Sequence, residues 1–145
     1  MQKKRRNTRR GGFTLVEVLL VLVILLIIAS LAVTAYVPMQ RRAYNNAART
    51  QIKAFEQPLQ LYYQDMNEFP STSQGLEALI APPADATNPD AWQGPYLDAQ
   101  AVPLDPWGHP YQYQYPGQYD PEKPDIWSLG ADGLDGTEDD IASWQ

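Results

Sequence analysis

Twenty consecutive residues, Val18 to Val37, contain no charge, no Gly and no Pro. As an α-helix such a run extends for roughly 30 Å, the thickness of a bilayer's hydrocarbon core. The segment therefore reads as a single membrane span. Six of the chain's 11 Lys and Arg residues precede it: Lys3, Lys4, Arg5, Arg6, Arg9 and Arg10. A basic flank of this kind stays in the cytoplasm and sends the residues after Val37 outward.

The junction between flank and run reads Arg9-Arg10-Gly11-Gly12-Phe13-Thr14-Leu15-Val16-Glu17. A secretory signal is the plain alternative, with Val33-Thr34-Ala35 as its small-residue cleavage site. The run is long for such a signal, however, and an acid at its head is costly without a partner. The junction resembles the processing site of type IV prepilins and type II secretion pseudopilins. The resemblance implies a prepilin peptidase that cuts after Gly12 and methylates the new amino terminus on Phe13. Glu17 then falls at the fifth mature position, where the family's carboxylate meets a neighbouring subunit's terminus during assembly. Glu17→Ala is expected to insert in the membrane and to assemble poorly.

Once residues 1–12 are removed, the chain is strongly acidic, so nucleic acid is not expected as a partner. Divalent cations and basic protein surfaces suit it better. There is no cysteine, hence no disulfide to staple a small exported domain. Residues 13–37 are assigned to the transmembrane and assembly half of a long helix, and 38–145 to a periplasmic domain.

The helical pattern continues beyond the span. Ala43, Ala47, Ala48, Ile52, Phe55, Leu59 and Tyr62 recur near helical spacing, with Arg41, Arg42, Arg49 and Lys53 just outside the membrane or on the opposing face. A helix from Phe13 to about Tyr63 is expected, kinked or locally unwound at Pro38 and Pro58. Ser71 to Ile80 predicts a short helix with Ser73 as N-cap and Leu76, Leu79 and Ile80 inward. Nine of the 13 prolines lie from Pro70 to Pro116, which excludes long helices there. Ala81 to Ala91 reads as loop. Strands are expected around His109 to Tyr115 and Ile126 to Leu129. Strict alternation places Tyr111, Tyr113 and Tyr115 on one face, packed on the helix rather than binding a base or sugar. The fold class is α+β: a long N-terminal helix, transmembrane then amphipathic, on a small antiparallel sheet.

Three further stretches resemble the major pseudopilin of type II secretion. They are Tyr62 to Leu79; Asp105-Pro106-Trp107-Gly108-His109-Pro110-Tyr111, similar to that family's Asp-Pro-Trp-Gly-Asn-Pro-Tyr turn; and Asp125-Ile126-Trp127-Ser128-Leu129-Gly130-Ala131-Asp132-Gly133. The family commonly has a proline at the position of Thr34, which this chain lacks.

Asp132, Asp135, Glu138, Asp139 and Asp140 follow, with Gly130, Gly133 and Gly136 among them. Like charges folded into one turn repel unless a cation sits between them. Calcium accepts such oxygens in flexible geometry. Composition alone leaves a solvated acidic tail equally open, and the spacing is not that of an EF-hand. The resemblance implies a calcium site with side-chain ligands Asp132, Asp139 and Asp140 and the carbonyls of Leu129 and Leu134. Asp135 and Glu138 are less secure as ligands, and the sequence leaves open whether they ligate or face solvent.

No nucleophile–base pair is visible: there is no Cys, and the one His, His109, sits in a Pro-rich turn. The chain is therefore read as a building block and not an enzyme. The resemblance implies a periplasmic filament subunit, anchored in the inner membrane, that moves folded proteins across the outer membrane. Its implied partners are copies of itself, minor pseudopilins, the inner-membrane assembly platform and the prepilin peptidase. The alternative is a type IV pilin serving surface adhesion, motility or DNA uptake. A third possibility is an anchored binder that never polymerises.

Overall fold

The structure is a computed structural model that describes residues 13–145, without the side chains of residues 31–35 and 37. Two compact units meet at Gln40 and Arg41, and each is described by itself.

Helix α1 (Leu15–Ala54) begins in the first unit and ends in the second. It continues through Pro38, so the helix is not unwound there. A lone proline removes one hydrogen bond and strains one turn, and the helix-forming residues on both sides carry the helix past it. The second expected interruption lies earlier than Pro58. Helix α2 (Glu56–Met66) starts afresh after Phe55, whose N–H turns to the Ile52 carbonyl at 3.2 Å. A proline ring clashes with the carbonyl four residues back, here that of Ala54, where α1 stops. Pro58 itself then sits in the first turn of α2, where a missing N–H costs nothing. The helix thus breaks one turn before the proline that breaks it. α2 closes on Asn67, in the left-handed region at φ 58°, with its N–H on the Tyr63 carbonyl.

The expected helix from Ser71 to Ile80 is only a 3₁₀ turn, Leu76–Leu79. Its entry is organised by Ser71 and not by Ser73: the Ser71 N–H donates to Gln74 Oε1, and the Gln74 N–H to Ser71 Oγ. Leu76 and Leu79 are buried as expected, but Ala78 joins them in place of Ile80. Within the loop read from Ala81 to Ala91 the structure adds a 3₁₀ turn, Pro89–Ala91.

Three short strands form one antiparallel sheet in the order β1 (Gln112–Gln114), β2 (Asp125–Ser128), β3 (Ile141–Ala142). The sequence reading found the first two and missed the third, which is too short to show a pattern. Tyr113 pairs with Ile126, and Ser128 with Ile141. The core of this unit is Ile52, Phe55, Leu59, Tyr62, Leu79 and Ile126, closed by the tyrosine face of β1. Tyr111 stands edge-on to Phe55 at 5.4 Å and Tyr115 to Phe69 at 5.3 Å. The Tyr113 hydroxyl donates to the Pro70 carbonyl at 2.8 Å. Burial pushes the Tyr111 hydroxyl up to about 12, with help from the Asp105 charge, and raises Tyr113 further still. The tyrosines are packing residues, as their alternation predicts.

Candidate functional site

At the start of α1, Thr14 and Glu17 close a reciprocal cap. The Thr14 N–H donates to Glu17 Oε2 at 2.8 Å and its hydroxyl donates to the same oxygen at 3.0 Å, while the Glu17 N–H donates to Thr14 Oγ1 at 3.2 Å. This is a capping box, Ser/Thr-x-x-Glu/Gln, which satisfies helix N–H groups otherwise left unpaired. The sequence reading gave Glu17 an intersubunit role and missed this local one, although Thr14-Leu15-Val16-Glu17 spells it out. Phe13 is 91% exposed, and the apolar residues from Leu15 to Ile28 are exposed after it. Gly12 lies outside the described residues. Among those residues no helix is long and apolar enough to cross a membrane; the expected span includes 31–35 and 37, whose side chains lie outside that set.

The acidic segment is the connection between β2 and β3, pinned at its base by the Ser128–Ile141 pair. Its carboxylates serve the loop's own backbone. Asp139 Oδ2 accepts from the N–H groups of Ala131 and Asp132 at 2.7 and 3.1 Å. Asp140 Oδ2 accepts from those of Gly136 and Thr137 at 2.7 and 3.1 Å. Asp132 Oδ1 accepts from the Leu134 N–H at 2.9 Å. Asp135 is held elsewhere, by the Trp127 indole N–H at 2.8 Å, and Glu138 is exposed.

Thr137, which the sequence reading passed over, is the hub. Its Oγ1 lies 2.7 Å from Asp139 Oδ1 and 3.4 Å from both Asp132 Oδ1 and the Leu134 carbonyl. One hydroxyl hydrogen cannot serve three acceptors. The Thr137 hydrogen bond, the largest cause, holds the Asp139 carboxyl below the usual carboxylate range. Asp140 Oδ1 is buried with no partner.

Among the described residues no group of three or more acidic or histidine side chains is gathered closely enough to hold a metal. The donor set nevertheless fits a hard cation. Three of the expected ligand oxygens surround one hydroxyl short of hydrogens, and a fourth ligand keeps an orphaned oxygen. Carboxylates and carbonyls are the donors that calcium takes.

Beneath the loop lies a turn built on Asp105, which is 4% exposed. Its Oδ1 accepts from the N–H groups of Trp107 and His109 at 3.0 and 2.8 Å. Its Oδ2 accepts from the Ser128 hydroxyl at 2.5 Å, and Ser128 Oγ accepts from the Gly130 N–H at 3.2 Å. His109 Nδ1 is 3.2 Å from the Gly130 carbonyl, and its ring lies where a side chain on Gly133 would stand. His109 is thus a turn residue, as read from the sequence, and also a buttress of the acidic loop.

A capped, exposed, apolar helix followed by a small sheet-bearing unit is the architecture of a pilin-type structural subunit. Residues 35–144 match the family described as type II secretion system (T2SS), protein G, and residues 7–33 match the prokaryotic N-terminal methylation motif. The chain is 44% identical to the type II secretion system core protein G of Aeromonas hydrophila, over 99% of this chain and 96% of that one. It is 41% identical to the protein of the same name from Pseudomonas aeruginosa, over 92% and 94%. Among solved structures it is similar to the major pseudopilin from the type 2 secretion system of enterohaemorrhagic Escherichia coli. There the TM-score is 0.65 and the identity 36%, over 75% of this chain and 93% of that one. The chain belongs to the type II secretion protein G family, the major pseudopilins. It is a structural subunit and not an enzyme.

Proposed function

We propose that this chain polymerises through its N-terminal helix into a short periplasmic filament that drives folded proteins out through the outer membrane. The observation that carries the reading is the methylation motif of residues 7–33 running into an exposed apolar helix headed by Glu17. Residues 1–12 are the leader, removed by the prepilin peptidase after Gly12, and Phe13 is methylated. Residues 13–37 cross the inner membrane once, with the amino terminus cytoplasmic, and 38–145 form the periplasmic domain. Copies of itself, minor pseudopilins and the inner-membrane assembly platform are its partners. Deleting the gene abolishes secretion, and the mature chain begins at methylated Phe13 by mass spectrometry. A mature chain beginning at Tyr36, with secretion unaffected by the deletion, contradicts the reading.

Glu17 has two separable tasks in this scheme. Its hydrogen bonds to Thr14 cap the helix, and its charge awaits the amino terminus of the next subunit. A charge pair in an apolar bundle is poorly screened, and removing one partner strands the other. Glu17→Gln keeps an acceptor for Thr14 and loses the charge. Filament yield in that variant falls at least about tenfold while helix content and membrane insertion stay unchanged. If Glu17→Gln assembles normally and only Glu17→Ala fails, the cap matters and the charge does not.

The acidic loop is the proposed calcium site. Asp132, Asp139 and Asp140 with the Leu129 and Leu134 carbonyls would hold the ion, which neutralises carboxylates that otherwise repel. The loop's own residues do the rest: Thr137 draws the oxygens together and β3 fastens the far end. A ligand at a hundred times its Kd stabilises the folded state by about 2.7 kcal/mol. EDTA therefore lowers the melting temperature by roughly 10–20 °C for a domain of this size, and added calcium restores it. An unchanged melting curve removes the site.

A further inference from the structure

All of the chain's 17 acidic residues except Glu17 lie from Glu56 onward. Arg41, Arg42, Arg49 and Lys53 all precede Glu56, and from there on Lys123 is the single basic residue. The four cations are exposed. Among the described residues the ion pairs within 4 Å are His109–Asp105 and Lys123–Asp120, neither of which uses them. Arg42, Arg49 and Lys53 recur at i, i+7 and i+11, which sets them in one stripe along α1. At about 100° per residue the stripe lies roughly a third of a turn from the buried face of Ala48, Ile52 and Phe55. The core does not use it, and among the described residues no ion pair within 4 Å engages it.

We propose that the Arg42–Arg49–Lys53 stripe receives the acidic C-terminal domain of a second copy of this chain. The inference rests on the filament reading above and names a contact within it. Charge complementarity selects the occupant. Acidic domains stacked in a polymer repel one another, and this stripe is the concentrated positive surface available to offset that repulsion. The contact is heterologous, one surface against a different one, and such contacts build open helical filaments. Anionic lipid fits less well. Lys53 is twelve residues beyond Arg41, about 18 Å along the helix, so a bilayer surface reaching Arg41 leaves Lys53 beyond a screening length of about 8 Å.

The test uses the processed full-length chain in cells. Arg49→Glu with Lys53→Glu lowers filament yield at least tenfold, leaves the melting temperature and membrane level of the subunit unchanged, and is not reproduced by Arg49→Lys. A photo-crosslinker at position 53 of the otherwise unaltered chain captures a peptide from residues 56–145 of a second copy. Filaments from the double variant at normal yield overturn the contact alone, as does a crosslink confined to lipid or to another protein. Reduced binding to phosphatidylglycerol vesicles with filament yield intact assigns the stripe to the membrane and also overturns it. Absence of filaments from the unaltered chain overturns the filament reading itself, and this contact with it.

Discussion

Asp105→Ala lowers the stability of the C-terminal unit by about 3–4 kcal/mol, a fall of roughly 15–25 °C in melting temperature. The carboxylate accepts from two backbone N–H groups, those of Trp107 and His109, and from the Ser128 hydroxyl. Ser128 is fully buried. Truncation strands three donors, and each buried unsatisfied group costs about 1–3 kcal/mol. Asp105→Asn keeps an oxygen for the backbone pair and lets Ser128 reorient, so it costs only about 1 kcal/mol. Equal losses for Ala and Asn would show that charge, rather than hydrogen bonding, is what the site needs. The same carboxylate also links the turn to the acidic loop through Ser128 and Gly130, so Asp105→Ala loosens that loop as well.

Gly130→Ala costs about 3 kcal/mol, again by thermal unfolding of the full chain. Gly130 sits at φ +65°, and a Cβ there collides with the backbone carbonyl of Asp139 and comes within 2.6 Å of Asp139 Oδ2. Left-handed backbone alone costs a non-Gly residue roughly 1 kcal/mol. The rest comes from forcing Asp139 off the N–H groups of Ala131 and Asp132. Gly136→Ala is the control: φ is +82° but no atom lies within 4 Å of the added Cβ, so only the backbone cost applies. Similar melting temperatures for the two variants would show that the loop yields freely around Asp139.

Much of this was legible in the residues because it rests on local periodicity. The amphipathic positions Ile52, Phe55, Leu59 and Tyr62 form the buried face, and the alternation of Tyr111, Tyr113 and Tyr115 produced the face that covers it. The Glu17 cap is equally legible in Thr14-Leu15-Val16-Glu17, whose Thr-x-x-Glu spacing is that of a capping box. The helix break was assigned to Pro58 and occurs at Phe55, since a proline acts on the turn before it. Ser71 caps the turn in place of the expected Ser73, because a side chain in a turn bonds whichever backbone group the turn presents.

Other features had no sequence signal of their own. β3 is two residues long and exists because Trp127 and Ser128 offer Ala142 and Ile141 a partner. Thr137 becomes a hub only when the loop folds Asp132, Leu134 and Asp139 around it. His109 looks like any turn residue until Gly130 and Gly133 are brought against it.

Order along the chain, apolar spacing and the placement of charge were settled by the residues alone, since these depend on neighbours a few positions apart. Which oxygens converge, which glycine cannot change and which carboxylate is buried were settled by tertiary contact. Asp105 and Ser128 stand 23 positions apart, and only the packed sheet brings them within hydrogen-bonding distance.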